Sequence, residues 1–191
     1  MMTTPIPSLT TSRLLLRPFT SADGPDVERL AGAWEVADTT LNIPHPYPEG
    51  AGAEWIQNHA QAWTAGTGLT LAMALRAAPG AIVGAISLSI DREHSRGELG
   101  YWIAADHWGS GYATEAASAV ISLGFSDLAL HRIQARHFTR NPASGRVMAK
   151  LGMRFEGINR GVYFRWGRFE DVAVYGILAE EWAADFPRGR V

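Results

Sequence analysis

Residues 98–117 decide the fold of this chain and read ELGYWIAADHWGSGYATEAA. In its first part Leu99, Tyr101 and Ile103 alternate with Glu98, Gly100 and Trp102, a period of two that predicts a strand. After residue 112, small and apolar residues recur with helical spacing, which predicts a helix. Gly109 and Gly111 lie in the turn between them, where residues without a side chain allow positive φ angles and a close approach of the backbone to a ligand.

This strand–turn–helix unit suits a phosphate group. The first N–H groups of a helix have no partner within the helix, so they point together into the space in front of it. Such helix starts bind anions, and phosphates in particular. An ordinary glycine-containing loop is the alternative, because short motifs of this kind also occur without a ligand.

The composition predicts a single folded domain, residues 1–191, with loose tails at 1–10 and 187–191. Apolar residues make up 47% of the chain, which is ample for a core. No apolar run approaches the roughly 18 residues of a membrane-spanning helix, and the first residues lack the features of a signal peptide. Cysteine is absent, which excludes disulfides and thiol chemistry. We therefore expect a cytoplasmic protein with no membrane partner.

The net charge of −2 conceals an uneven distribution. Between Arg29 and Arg76 there is no Lys or Arg, but there are four acidic residues. After Leu130 the chain contains eleven basic and six acidic residues. The first half could favour a cationic partner and the last third an anionic one, or both could be ordinary solvated faces. The basic residues form no dense run with interleaved aromatic residues, so nucleic acid is not an expected partner.

The rest of the chain alternates strands and helices. Pro18 ends a first strand, three prolines stiffen the loop at 42–50, and Gly152 stops a helix that starts at Asn141. The predicted elements are strand 11–19, a helix after residue 23, helix 51–65, strands 69–76 and 81–91, the strand beginning at Glu98, the helix after residue 112, strand 128–137, the helix starting at 141, and a hairpin of strands 155–164 and 168–178 around Trp166 and Gly167.

Together these motifs resemble the GNAT acyltransferase superfamily, in its Rim-type branch of ribosomal-protein N-terminal acetyltransferases. That branch favours Glu-x-Gly-Tyr-Trp on the strand and Trp-Gly-x-Gly-Tyr-Ala-Thr-Glu-Ala on the turn and helix, and both are present here. Trp108 stands where most of the superfamily has Gln or Arg, whereas Gly111 and Ala113 match. Two further motifs, Asn-Pro-Ala-Ser from residue 141 and Gly-Arg-Phe-Glu-Asp-Val from residue 167, follow in the expected order.

The resemblance covers residues 11–182 and implies an α/β (α+β) architecture. In the GNAT fold a central mixed, mostly antiparallel sheet is splayed at the acyl-CoA site and carries helices on both faces. The implied reaction is direct transfer of an acetyl group from acetyl-CoA to a primary amine, without a metal or a covalent enzyme intermediate. The absence of cysteine and of a Gly-x-Ser-x-Gly elbow agrees with this.

The resemblance also implies which residues hold acetyl-CoA. The strand backbone pairs with the pantetheine arm, the amides of the turn bind the pyrophosphate, and an Asn amide bonds the arm from the other side. In this chain the corresponding residues are Tyr101, Trp102, Ile103, Ala104, Trp108, Gly109, Ser110, Gly111, Tyr112, Ala113, Thr114, Asn141, Ser144 and Lys150.

Four residues are candidates for moving protons. Glu98 is the expected base, acting directly or through water, although it could be a solvent-facing strand carboxylate. Ser144 is the expected donor to the leaving thiolate, although it could simply cap a helix. Tyr163 and Tyr175 are the alternative acids. Some Rim-type enzymes have a carboxylate where Tyr163 stands, and its absence here gives Glu98 more weight.

The acceptor amine stays open at this stage. A protein N-terminal α-amine and a small amine, such as a polyamine, an amino acid or an antibiotic, are both compatible with the motifs. An α-amine with a pKa of about 7.7–8.0 is easier to deprotonate than a lysine amine near about 10.4. A non-catalytic acyl-CoA-binding module is a further alternative. A nucleotide-binding protein is disfavoured because no Walker lysine follows the glycines. A homodimer remains open.

Overall fold

The computed structural model describes residues 5–185. Its centre is an open eight-stranded sheet in the order β1-β2-β3-β4-β5-β6-β8-β7. The strands are β1 (Leu9–Thr10), β2 (Leu14–Arg17), β3 (Gly68–Leu75), β4 (Ala78–Asp91), β5 (Arg96–Ile103), β6 (Arg132–Phe138), β7 (Arg154–Arg165) and β8 (Arg168–Leu178). The helices are α1 (Gly24–Ala31), α2 (Trp34–Asp38), α3 (Ala51–Ala65), α4 (Tyr112–Ser126), α5 (Pro142–Lys150) and α6 (Ala179–Asp185).

The sheet splays between β5 and β6. These two strands are parallel, whereas the other neighbouring pairs of the described sheet are antiparallel. Their pairing starts at Arg96 and Arg132 and ends at Leu99 and Ala135. β5 continues to Ile103 paired only with β4, so the other edge of residues 100–103 has no strand beside it among the described residues. The mixed, mostly antiparallel and splayed sheet predicted above is confirmed.

Helices cover both faces of this sheet. On one face, apolar residues of α4 and α5 pack against Leu99 and Ile133 in the larger core cluster. On the other face, α1 and α3 pack against Ala85 and Trp102. Leu99 and Trp102 lie on opposite faces because side chains alternate along a strand. Burying each large aliphatic side chain contributes about 1.5–3 kcal/mol, so these two clusters fix the position of β5 firmly.

Several boundaries differ from the predicted ones. The strand predicted at 128–137 begins only at Arg132, because Ala129 has a φ of 52° and breaks the extended chain. The strand predicted at 11–19 is shorter, Leu14–Arg17, because residues 11–13 form a turn. Leu9 and Thr10, in the segment expected to be loose, pair with β2. The helix α6 was not predicted. The predicted C-terminal tail, residues 187–191, lies outside the described residues.

Candidate active site

Two cavities meet at the end of β5. The first, which we call the loop cavity, has a volume of about 310 Å³ and lies between the turn before α4, the end of β5, and α5. The second, the sheet cavity, has a volume of about 430 Å³ and lies between the face of β4–β6 and the segment 39–47. Their walls have in common Thr39, Thr40, Tyr101, Trp102 and Ser144. A ligand extending through the loop cavity would therefore end beside a second ligand in the sheet cavity.

Most residues predicted to bind the cofactor line the loop cavity. They are Tyr101, Trp102, Ile103, Trp108, Gly109, Gly111, Tyr112, Ala113, Thr114, Asn141, Ser144 and Lys150. Two others do not. Ala104 is buried beyond the end of β5, with its N–H bonded to the carbonyl of Val83. Ser110 presents its carbonyl oxygen to Arg13 instead.

The turn before α4 has the conformation that its glycines predicted. Gly109 and Gly111 have φ angles of 76° and 81°, which residues with a side chain rarely adopt. Gly111 is the N-cap of α4, so the N–H groups that follow it begin the helix. Arg146 and Lys150 on α5 add positive charge to the same cavity. Free amides at a helix start and nearby basic side chains fit the phosphate-bearing acyl-CoA that the family resemblance implies.

Trp108 braces the turn, although it replaces the Gln or Arg of most GNAT proteins. Its indole N–H donates to the carbonyl of Ile103 at 2.8 Å, while about half of the residue remains exposed. This bond ties the start of the turn to the last residue of β5. With Trp108 the turn lacks the polar side chain that the resemblance assigns to this position, but it gains the hydrogen bond to Ile103. The backbone amides of the turn stay in place.

Asn141 and Ser144 form a reciprocal pair at the start of α5. The Asn141 carboxamide accepts a hydrogen bond from the Ser144 N–H at 3.4 Å and donates one to the Ser144 hydroxyl at 3.2 Å. Because the hydroxyl accepts from Asn141, its own hydrogen remains available to a ligand. Across the gap, the Tyr101 hydroxyl donates to the carbonyl of Ser144 at 3.3 Å, and burial raises the pKa of Tyr101 to about 12.

Glu98 lines the sheet cavity within a network of polar side chains. Its Oε1 accepts two hydrogen bonds from Arg136, and its Oε2 accepts one from Gln134 at 2.8 Å. Arg136 also donates to the Tyr163 hydroxyl at 3.0 Å. Glu98, Tyr163 and Ser144 therefore lie in the wall of one cavity.

Tyr175 is separated from the other three candidates. It pairs with Ala135 across β6 and β8, so it lies on the face that α4 and α5 cover rather than on the face of Glu98. Its ring packs between His137 and Phe155, at centroid distances of 5.7 and 5.5 Å. Tyr175 lines neither cavity of the described chain, whereas Tyr163 lines the sheet cavity because it pairs with Glu170 on the opposite face.

The walls of the sheet cavity are nearly neutral. Its described lining contains two residues with full charges, Glu98 and Arg136, and they neutralise each other. Asp38, from the acidic stretch of the first half, instead pairs with Arg140 and Arg168. Asp38 therefore offers no free charge to an acceptor in the sheet cavity.

Sequence reasoning missed several residues around the site. Arg136 holds Glu98, and Thr39 and Thr40 line both cavities. Glu115 and Arg13 join the start of α4 to the turn between β1 and β2. Glu115 lies within the motif that predicted the turn, but its partner is remote in sequence, so no local signal would have revealed this pair.

Membrane-spanning helices and clustered metal ligands are both absent from residues 5–185. None of the described helices combines the length and the apolar character needed to cross a membrane. The same residues contain no group of three or more His, Cys, Asp or Glu side chains placed to hold a metal ion.

Comparisons with known proteins agree with this architecture. A family model described as an acetyltransferase (GNAT) domain matches residues 13–154. The uncharacterized N-acetyltransferase YoaA of Bacillus subtilis is 41% identical over 98 residues, which are 51% of this chain and 55% of that protein. Such matches span about half the length of the curated relatives.

Solved structures match over nearly the whole chain. A GNAT-family acetyltransferase from Bacillus anthracis is 26% identical, with a TM-score of 0.80 over 91% of this chain and 99% of that one. The ribosomal-protein-S5-alanine acetyltransferase from Vibrio fischeri has a TM-score of 0.81 over 92% and 98% of the two chains, and its 21% identity shows a likeness of fold. With the family model matching most of the chain, this protein belongs to the GNAT acetyltransferase family.

Proposed function

We propose that this chain is an acetyl-CoA-dependent N-acetyltransferase that acts on the N-terminal α-amine of a polypeptide. The observation that carries the proposal is the meeting of the loop cavity and the sheet cavity at Tyr101, Trp102 and Ser144. A transferase must bring two substrates into contact. A protein that only binds one ligand would not need two cavities that meet. One sheet runs through residues 9–178, which supports treating the chain as a single GNAT domain.

When bound, acetyl-CoA would supply the acetyl group as an activated thioester. The unpaired edge of β5 at residues 100–103 offers backbone groups for the pantetheine amides. The amides after Gly109 and Gly111 would hold the pyrophosphate, with Arg146 and Lys150 on the facing wall. Asn141 would complete the cavity opposite β5.

Two protons must move for the transfer to occur. The amine must lose one, and the Oε2 of Glu98 has a lone pair to receive it, directly or through a water molecule. The departing sulfur must gain one, and the Ser144 hydroxyl has its hydrogen free because Asn141 donates to its oxygen; Ser144 would regain a proton from water. Tyr163 lies beside Arg136 and is the alternative donor in the sheet cavity.

The neutral walls of the sheet cavity favour an α-amine over a polyamine. A polyamine carries several positive charges, and the one carboxylate of the described lining already pairs with Arg136. Tyr47, Trp55 and Phe138 add apolar and aromatic surface suited to an uncharged side chain. Deprotonating an α-amine at pH 7 costs about 1 kcal/mol, whereas a lysine amine costs about 4–5 kcal/mol.

A panel of acceptors tests the proposal. The purified protein is mixed with acetyl-CoA and hexapeptides that differ in their first residue, and free thiol release is followed while mass spectrometry locates the acetyl group. Matched panels contain the same peptides with a blocked N-terminus and one lysine, single amino acids, and spermidine. We expect acetylation at the free N-terminus of peptides that begin with an uncharged residue.

Other outcomes would change the assignment. Turnover with spermidine or single amino acids, and none with peptides, would make this a small-molecule acetyltransferase. Binding of acetyl-CoA without turnover on any acceptor would favour a non-catalytic acyl-CoA-binding module. Absence of acetyl-CoA binding would overturn the proposal as a whole.

A further inference from the structure

The turn between β1 and β2 is fastened to the first turn of α4 by one carboxylate. Glu115 Oε1 accepts hydrogen bonds from the Thr11 hydroxyl at 2.6 Å, the Ser12 hydroxyl at 3.0 Å and the Arg13 N–H at 2.8 Å. Its Oε2 accepts from the Arg13 Nε at 2.7 Å, and the Arg13 Nη2 completes an ion pair at the same distance. These donors hold the pKa of Glu115 at about 2, so the carboxylate is ionised at any pH near neutrality.

Arg13 extends this contact to the glycine turn itself. Its Nη1 donates to the carbonyl of Ser110 at 2.9 Å, and its guanidinium carbon lies 4.8 Å from the centroid of the Tyr112 ring. Arg13 therefore contacts the residues on both sides of Gly111. It does not line the loop cavity in the described structure, so it acts on the turn from behind and not on a ligand in front.

A turn that contains two glycines needs such support. Glycine loses more conformational freedom on ordering than any other residue. If the turn were flexible, each ligand that bound would have to order it, and the lost entropy would weaken binding. Fixing the turn in advance removes this cost and strengthens binding. Arg13 also neutralises Glu115, whose negative charge in the first turn of α4 would otherwise oppose an anion at the same helix end.

We infer that Arg13 and Glu115 are positioning residues for the pyrophosphate site, which makes acetyl-CoA affinity depend on the β1–β2 turn. This inference rests on the proposed function, because it assumes that the turn before α4 holds the pyrophosphate. Arg13 and Glu115 lie outside the cavity lining and keep the amides of residues 109–114 in the conformation that binds the ligand.

The test compares two ligands that differ in the pyrophosphate. Isothermal titration calorimetry measures the Kd of acetyl-CoA. Competition against acetyl-CoA measures the Kd of S-acetylpantetheine, which has the same thioester arm but lacks the pyrophosphate and the nucleotide. Arg13→Gln should raise the Kd of acetyl-CoA by about 10- to 100-fold, as expected for losing a charge-assisted hydrogen bond, and leave that of S-acetylpantetheine unchanged. Arg13→Lys should lose part of this affinity, because an ammonium cannot bridge Glu115 and Ser110 as a guanidinium does.

Matched variants separate positioning from general stability. Arg29→Gln removes an exposed arginine that pairs with Asp26 away from both cavities, and it should change neither Kd. Glu115→Gln should weaken acetyl-CoA binding as Arg13→Gln does, and Ser12→Ala provides a milder change if Glu115→Gln does not fold. Thermal melting of each variant establishes that the fold is intact.

The outcomes distinguish this inference from the proposed function. Wild-type protein that fails to bind acetyl-CoA overturns the proposed function and the inference with it. Wild-type binding with an unchanged Kd in a folded Arg13→Gln variant overturns the inference alone. An equal loss for both ligands also overturns it, because Arg13 would then support the fold in general and not the pyrophosphate site.

Discussion

Arg136 donates two hydrogen bonds to a single oxygen of Glu98, from Nη2 at 2.6 Å and from Nε at 2.9 Å. The second oxygen accepts one bond, from Gln134. Oε1 of Glu98 therefore binds Arg136, whereas Oε2 has a lone pair that can accept a proton in the sheet cavity. This division allows Glu98 to act both as an anchor and as a base, and the two roles predict different pH profiles.

Glu98→Gln tests whether this carboxylate takes the proton of the acceptor. We expect the fold and the Kd of acetyl-CoA to be retained and turnover at neutral pH to fall by roughly 10²–10⁴-fold, the usual effect of losing a positioned base. The deficit should shrink as pH rises, because more of the amine then arrives neutral. Steady-state kinetics between neutral and alkaline pH measure this.

A matched control is a second ion pair whose arginine also lies on β6. Arg132 of β6 pairs with Glu156 outside both cavities of the described chain, so Glu156→Gln breaks a comparable ion pair and should leave turnover unchanged. A Glu98→Gln deficit that is the same at every pH would mean that Glu98 only anchors Arg136 and positions the acceptor. Full activity would shift the role of base to bulk water or another group.

Ser144→Ala and Asn141→Ala should have different effects. Removing the Ser144 hydroxyl should mainly slow turnover and leave the Kd of acetyl-CoA close to that of the wild type, and Ser144→Thr should restore the rate. Removing the Asn141 amide should weaken acetyl-CoA binding by about 0.5–3 kcal/mol and destabilise α5 by about 1 kcal/mol through loss of its cap. Calorimetry and kinetics together separate the two effects. Full activity of Ser144→Ala would leave the Ser144 hydroxyl only the structural role of holding the Asn141 amide.

Gly111→Asp should abolish acetyl-CoA binding. The substitution places a side chain at a φ of 81°, with its Cβ about 3.4 Å from the Arg13 Nη2, so the new carboxylate would draw Arg13 away from Glu115 and Ser110 and distort the turn. Gly50→Asp is the matched control, since Gly50 is also a helix N-cap with a φ of 81° but precedes α3, outside the loop cavity. Both variants incur a similar backbone strain, and only Gly111→Asp should lose binding by calorimetry. An unchanged Kd in folded Gly111→Asp would place the pyrophosphate elsewhere.

How much of this site the sequence predicted depends on how local each feature is. The turn before α4 and the helix start at Asn141 depend on neighbouring residues, and both are present as predicted, although Asn141 and not Ser144 caps the helix. The Glu98–Arg136 pair requires β5 and β6 to align in one parallel register, and the Arg13–Glu115 pair joins residues about a hundred positions apart. Tyr175 was a reasonable candidate by type, but its position on β8 assigns it to the wrong face.

The stability of the protein should fall as pH is lowered from about 6.5 to about 4. Burial beside Trp55 and Phe19 lowers the pKa of His59 from 6.5 to about 4, and neither ring nitrogen has a hydrogen-bond partner among residues 5–185. The unfolded chain therefore binds a proton in this window that the folded chain does not, which favours unfolding as pH falls. Above pH 6.5 both states are neutral at this site and the effect vanishes.

His59→Phe should remove most of this pH dependence, because phenylalanine fills the aromatic site without titrating. Thermal melting across pH 4–7 measures the change, which we expect to be several degrees at about 2–4 °C per kcal/mol for a chain of this length. His131→Gln is the control, because His131 is exposed and lies outside the aromatic cluster of His59. Glu115, with a pKa of about 2, loses its stabilising charge only below about pH 4.5, so it does not obscure the His59 window. An unaltered profile in His59→Phe would assign the acid sensitivity to other groups.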